Sequence, residues 1–364
     1  MKFTFENELM KKALMMAQDV IDVKNPAAIL SNIKLMAYEG KLIIQANNSL
    51  LRMATTFPVE IEETGETTVY CDKLYAIVSN LQNGMVSFEK GASDVEAVIR
   101  PEEKKIRFKL RTMTTEKYPY VEELEAVEFN RFNVKEFKYS VNKVSFAVSN
   151  DSARYFMTGV YFEKKDDRIN YVATDGRRLS KSSNECLFEF PNVIVPIKFI
   201  DFVTKYGPNE GEVKIGVTMK RIYASFDGVE VSSALIDGQY PAYERVIPGT
   251  QKYTVTIPKS SLMDAVRRCE LMTDKKVGKI IFDFTKNSLS LKGDYELGSS
   301  FEELDIDYDG EDMTIAVNYN YIVDVLKHFE YDSIVMQFTE SMKAVTITSK
   351  ENGGFLHVIM PMQK

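Results

Sequence analysis

Apolar positions along this chain switch between two spacings, every second residue and every third or fourth, and the switches recur in the same order three times. Near the start Phe3 and Phe5 alternate with polar neighbours, as one face of a strand does. Leu9, Met10, Ala13, Leu14 and Ala17 then follow at helical spacing, with Asn7 as the expected N-cap. The second round runs from a strand at Phe132-Asn133-Val134 into Phe137, Val141, Val144 and Val148. The third runs from Val255-Thr256-Ile257 into Leu262, Met263, Val266 and Cys269, where Pro258 and Ser260 suit the start of a helix. About 65 residues into each round a second short helix is expected, over 73–78, 198–203 and 321–326. Alternating strands follow each of these, as in Val86-Ser87-Phe88, Val213-Lys214-Ile215 and Val335-Met336-Gln337-Phe338. A repeat of about 120 residues, each round a strand, a helix, strands, a second helix and more strands, predicts three similar domains, over 1–125, 126–249 and 250–364.

Composition then narrows what three such domains do. No apolar run approaches the roughly 20 residues of a membrane span, and the first residues lack a signal-peptide core, so a cytoplasmic protein with no membrane partner is expected. Cys71, Cys186 and Cys269 lie far apart with no CxxC spacing, which indicates buried thiols rather than a disulfide framework or a zinc site. The net charge of −7 argues against a protein that simply coats nucleic acid. Its distribution says more: the six predicted helices sum to about +4 and the rest of the chain to about −11. That split suits a body that repels DNA over its outside and tolerates it along a helical surface, although solvated helix faces alone also produce it.

Candidate chemistry is thin. Asp305-Ile306-Asp307-Tyr308-Asp309-Gly310 reproduces the first half of a calcium-binding EF-hand loop, but position 12 is Ala316 where a bidentate glutamate is required. An acidic hairpin turn between strands is the reading of that segment. The two histidines, His328 and His357, sit in no catalytic motif, and no glycine-rich phosphate loop occurs. No catalytic residue, metal ligand or cofactor is therefore assigned.

Three other segments are more distinctive. Asp175-Gly176, within Ala173-Thr174-Asp175-Gly176-Arg177-Arg178-Leu179, reads as a hairpin turn. The stretch from Leu235 through Asp237-Gly238-Gln239-Tyr240-Pro241-Ala242-Tyr243 to Arg245-Val246-Ile247-Pro248 reads as a strand end and a proline-bounded connector. The end of the sequence, Val358-Ile359-Met360-Pro361-Met362-Gln363-Lys364, is apolar and methionine-rich, which suits either a last strand tucked into the fold or a surface that adapts to several apolar ligands.

With the Met1-Lys2-Phe3-Thr4 start and the helix start at Asn318-Tyr319-Asn320-Tyr321, these segments fall in the order and spacing of a known family. Over essentially its whole length the chain resembles the bacterial sliding clamps, the beta subunits of DNA polymerase III. The resemblance implies an α+β fold of three clamp domains in a crescent, each with two helices packed on antiparallel sheets, and two crescents joined head to tail into a homodimeric ring with helices lining the pore. Such a ring encircles double-stranded DNA without reading its sequence and catalyses nothing. Its partners implied by the resemblance are DNA polymerase subunits and the clamp loader, bound through short linear motifs, often a Gln followed by Leu and an aromatic residue. The groove that receives them would be lined by Thr174, Gly176, Arg177, Leu179, Pro241, Arg245, Val246, Asn318, Tyr321, Val358, Met360, Pro361 and Met362.

The same resemblance places DNA contacts at Lys24, Asn150, Arg154, Tyr155 and Lys198. It sets Phe108 and Leu110, on an edge strand of the first domain, against Leu271 and Met272 of the other chain. The chain departs from the family pattern at Arg177, often His, at Gln363, often Arg, and at Asp72 and Ser79, commonly Arg. Two other readings are weighed beside this one: a three-domain peptide-binding scaffold that no longer encircles DNA, which Asp72 and the acidic total favour, and a metal-dependent hydrolase built on Asp305 to Asp309.

Overall fold

The computed structural model describes residues 1–21, 28–91, 95–102, 104–119, 127–351 and 354–363. The chain forms two compact units, Met1–Lys135 with Lys198–Leu235, and Glu136–Ile197 with Ile236–Lys364.

The first unit is built on a thirteen-stranded antiparallel sheet that runs from Phe129–Asn133 at one edge to Glu60–Glu63 at the other. Helices α1 (Asn7–Val20) and α2 (Cys71–Ser79) pack against each other. Met10, Ala13, Leu14 and Ala17 of α1 are buried while Lys11 and Lys12 are exposed, which is the amphipathic stripe expected of this segment. Asn7, expected as its N-cap, is instead its first helical residue and is buried. Its Nδ2 donates to the carbonyls of Val78, Leu81 and Gln82, so it closes the end of α2 rather than the start of α1. Phe3 stacks on Phe88 at 5.0 Å beneath these helices. The Cys71 thiol is buried, and burial pushes its pKa up to about 12.

The second unit carries an eight-stranded antiparallel sheet, from Val193–Pro196 to Tyr253–Pro258, and a four-stranded one. In the larger sheet Arg178–Glu185 pairs on one side with Arg168–Thr174 and on the other with Phe355–Ile359. That pairing seats the apolar end of the chain beside the Asp175-Gly176 hairpin. Helix α3 spans Val134–Asn142, mostly in this unit, whereas α4, Ile197–Tyr206, belongs to the first unit from Lys198 onward. The helix expected to reach Val148 stops at Asn142, and Ser145–Ala147 forms a separate 3-10 turn. Helices α5 (Lys259–Cys269) and α6 (Tyr319–Lys327) pack together over a core containing Leu262, Val266, Phe282, Phe284, Ile322 and Phe338.

The segment after Asp305 is not a hairpin. Gly298–Asp305 and Met313–Asn318 occupy opposite edges of the four-stranded sheet, so the acidic stretch crosses the sheet's end. Ile306 and Tyr308 are buried along that crossing, and the Tyr308 hydroxyl donates to the Glu311 carbonyl at 2.6 Å. Among the described residues no group of three His, Cys, Asp or Glu side chains is placed to hold a metal ion, and no helix is long and apolar enough to cross a membrane.

Candidate functional site

The hairpin from Thr174 to Leu179 is held by its own polar side chains. Asp175 Oδ1 accepts from the backbone N–H groups of Arg177 (2.9 Å) and Arg178 (3.0 Å), and Thr174 Oγ1 accepts from Gly176 N–H (3.1 Å). Gly176 sits at φ +85°, a left-handed conformation that favours glycine, and a Cβ there would lie 2.7 Å from Arg154 Nη1, which the flexible arginine side chain would have to vacate. Leu179, 1% exposed, pairs with Val358, also 1% exposed, and Met360 N–H donates to the Arg177 carbonyl at 2.9 Å.

The proline-bounded connector closes the third side. Tyr240 stacks on Tyr161 at 4.7 Å and donates to the Val172 carbonyl. Pro241 then leads into a 3-10 turn, Tyr243–Val246, whose Tyr243 hydroxyl donates to Glu163 Oε2 at 2.6 Å. Burial, reinforced by that bond to a carboxylate, raises the Tyr243 pKa and keeps the phenol protonated.

Between these three pieces lies a pocket of about 120 Å³. Seven of the thirteen residues expected of a groove line it: Thr174, Gly176, Leu179, Pro241, Val246, Val358 and Met360. Met157, Arg178, Ala242 and Tyr243 line it as well. Arg178 and Tyr243 stand inside the two segments the sequence singles out, so their neighbourhood was legible. Met157 sits in a short 3-10 segment, Ser152–Met157, without periodicity, and carries no such signal.

The other six expected residues fall into two groups. Arg177 and Arg245 are exposed at the rim. Asn318, Tyr321, Pro361 and Met362 gather at the start of α6, where Asn318 Oδ1 caps the helix by accepting from Asn320 N–H and Met362 N–H donates to the Ala316 carbonyl at 2.7 Å. Arg178 connects the two groups. Its guanidinium, 10% exposed, bonds Asp175 (3.1 Å), Asp324 (2.6 Å) and the Phe146 carbonyl (2.7 Å) and lies 4.7 Å from the centre of the Tyr321 ring.

Beneath Arg178, His357 is fully buried, with Nδ1 2.6 Å from Ser180 Oγ. Burial, and secondarily the Arg178 charge, pushes its pKa down to about 3. The unfolded chain, titrating near 6.5, binds the extra proton between these values, so stability falls as pH drops from 6.5 towards 3. Between pH 7 and 5 His357 is expected to cost about 2 kcal/mol, and His357→Phe should lose correspondingly less over the same range. Urea unfolding of both proteins at the two pH values checks this; equal losses would contradict it.

The repeat places a counterpart of this hairpin in the first unit. Asn48 Oδ1 accepts from Leu50 N–H (2.8 Å) and Leu51 N–H (2.6 Å) as Asp175 does from Arg177 and Arg178, and Tyr118 donates to the Gln45 carbonyl as Tyr240 does to that of Val172. Asn47 pairs with Arg52, and Arg52 with Ser232, at the positions where Thr174 pairs with Leu179 and Leu179 with Val358. Ala234 follows two residues on, in place of Met360. The counterpart therefore has arginine, serine and alanine where the second unit has leucine, valine and methionine, and Arg221 Nη2 donates into it to the Leu50 and Ser232 carbonyls. The same turn thus carries an apolar lining at the Asp175 hairpin and a polar one at the Asn48 hairpin.

Of the positions expected at DNA, Lys24 lies outside the described residues. Asn150, Arg154 and Tyr155 are exposed together around Ser152–Met157, with Arg154 ion-paired to Asp151 at 2.9 Å and leaning over Gly176. Lys198 is exposed on α4, in the other compact unit. The strand holding Phe108 and Leu110 is not a sheet edge as expected, since Phe108–Met113 lies between Gly65–Tyr70 and Glu96–Pro101. Only Thr112 and Met113 pair with the former, however, so residues 108–111 keep one open side. Leu110 is mostly buried in its own unit. Leu271 (73% exposed) and Met272 flank the outermost strand Gly298–Asp305, which adds exposed Phe301, and Leu297 is exposed in the turn before it, two residues the sequence reading missed.

Residues 1–122, 131–242 and 244–363 match, in order, the N-terminal, central and C-terminal domains of the DNA polymerase III beta subunit family. The chain is 34% identical to the beta sliding clamp of Treponema pallidum, over 100% of both sequences. Its fold is that of the DNA polymerase III subunit beta of Pseudomonas aeruginosa, with a TM-score of 0.94, 24% identity and complete coverage of both chains. The beta subunit of Borrelia burgdorferi, solved in complex with a natural product, matches with a TM-score of 0.94 and 26% identity over 100% of this chain and 99% of that one.

Proposed function

The chain belongs to the DNA polymerase III beta subunit family, the beta sliding clamps, and from that premise we propose that it closes as a head-to-tail dimer around duplex DNA and tethers polymerases through the pocket of its second unit. It is a DNA sliding clamp of three tandem clamp domains. The limits 1–125, 126–249 and 250–364 belong to this proposal. So do a cytoplasmic location, the absence of catalysis, and the clamp loader as a second user of the pocket.

The observation that carries the tethering is the pocket itself. An apolar floor of Leu179 and Val358, with Met360 and Val246 partly exposed at its mouth, is ready to bury apolar anchors of a short peptide. Each anchor contributes about 1.5 to 3 kcal/mol before the cost of ordering the chain. Fluorescence anisotropy with a labelled Gln-Leu-aromatic peptide tests it: saturable binding by the motif and none by its scrambled order is expected, and equal binding by both would contradict it.

Encirclement explains how a chain of net charge −7 works on DNA. A tight ionic grip opposes sliding, so a topological link with weak phosphate contacts suffices, and no base-reading residues are needed. Asn150, Arg154, Tyr155 and Lys198, with Lys24, are proposed to make those contacts. A scaffold that keeps the pocket and has lost DNA is not favoured, because relatives matched over the full length are sliding clamps.

For closure, the open side of residues 108–111 in one chain is proposed to pair with the free edge of Gly298–Asp305 in the other, with Phe108, Leu271, Met272 and Phe301 buried across the joint. Leu271→Asp places a carboxylate there and is expected to halve the solution mass. Sedimentation equilibrium giving an unchanged dimer would count against this joint.

A further inference from the structure

We infer that the peptide groove continues along the strand Arg178–Glu185 into a cationic cleft, and that this cleft favours motif peptides carrying an acidic flank. The inference rests on the peptide-binding reading above and extends it to partner choice.

The continuity is geometric. Residues of a strand alternate between faces, so Leu179 on the pocket floor is followed on the same face by Lys181 and Ser183, about 6.6 Å and 13 Å further along. Lys181 and Ser183 line a second hollow, about 580 Å³, together with Lys165, Arg168 and Glu244. The 3-10 turn walls both spaces: Tyr243 belongs to the pocket and Glu244 to the cleft. An extended peptide with its apolar anchor in the pocket therefore brings residues two to four positions away over Lys181.

The charges of the cleft are unevenly used. Three cations, Lys165, Arg168 and Lys181, face two carboxylates, Asp166 and Glu244. Glu244 is held by Lys165 at 2.6 Å, and Arg168 spends one nitrogen on the Ser183 carbonyl at 2.9 Å. The Lys181 ammonium lies 5.9 Å from the centre of the Tyr243 ring and makes no ion pair among the described residues. It is half-buried at the junction of an apolar pocket and a polar hollow, where a ligand carboxylate would complete its coordination.

The test uses the full-length protein and three labelled peptides in anisotropy titrations: the Gln-Leu-aromatic motif with Gly-Ser flanks, and the same motif with three glutamates before it or after it. At low salt one of the two acidic peptides is expected to bind about 3- to 10-fold more tightly than the neutral one. That gain should vanish in Lys181→Gln and Lys181→Glu and in 0.5 M salt, at about the ionic strength where surface attraction is screened, while the neutral peptide keeps its affinity for both variants. Acidic peptides no tighter than the neutral one, or a gain that survives Lys181→Gln, would overturn the inference and leave the groove intact. If the neutral peptide itself fails to bind, the groove reading falls and the extension with it.

Discussion

Met360→Asp is expected to weaken binding of a Gln-Leu-aromatic peptide by about 100-fold or more without unfolding the protein. The side chain is 40% exposed at the pocket mouth, and its structural role is carried by its backbone, whose N–H bonds the Arg177 carbonyl. Losing the methionine removes an apolar wall worth about 1.5 to 3 kcal/mol when a ligand covers it. The aspartate adds a penalty, because seating an apolar anchor strips water from its carboxylate while Arg178, the cation lining the pocket, is already engaged by Asp175 and Asp324. Val246→Asp, on the opposite wall and 46% exposed, should act in the same direction. Anisotropy titrations beside thermal melts check both: an affinity within threefold of the parent protein at unchanged melting temperature would mean the peptide binds elsewhere.

Arg178→Ala is expected to destabilise the second unit by about 3 to 5 kcal/mol. The guanidinium is the shared partner of Asp175 and Asp324 and also satisfies the Phe146 carbonyl, so its removal strands two partly buried carboxylates. Arg178→Lys keeps the charge but lacks the planar fork that reaches three acceptors, and should fall between the two. Urea unfolding followed by tyrosine fluorescence measures this. A loss under about 1 kcal/mol would show that the carboxylates find other partners or stay hydrated.

Most of the fold was legible because its signals are local and repeated. Helix and strand periods alternate visibly, and of the apolar positions they mark, Met10, Ala13, Leu14 and Ala17 of α1, Leu262, Val266 and Cys269 of α5, and Ile322, Val323, Val325 and Leu326 of α6 are buried, while Leu9 and Met263 are only partly so. What failed depended on tertiary context. Asn7 looks like a cap because asparagine before an apolar run usually is one, but it serves the neighbouring helix. The acidic stretch from Asp305 looks like a hairpin because a strand lies on either side, and only the sheet order reveals a crossing between opposite edges.

The site divides in the same way. Leu179, Val246 and Met360 lie in segments whose composition already stands out, whereas Met157 enters from a stretch with no pattern. Arg177 and Arg245 share those segments yet project at the rim. The contrast between the two hairpins has a simple cause: the side-chain oxygens of Asn48 and Asp175 accept the backbone N–H bonds that hold the turn in both, so the side chains beyond it were free to diverge into a polar lining in one and an apolar pocket in the other.

Topological retention tests the central claim most directly. The protein is loaded onto a nicked plasmid with a clamp loader and ATP, separated from free protein in 0.5 M salt, at about the strength that screens surface ion pairs, and the plasmid is then cut once with a restriction enzyme. A closed ring predicts that the protein stays with the circle and leaves when the DNA is linearised. Equal retention on linear DNA, or none on the circle, would contradict encirclement.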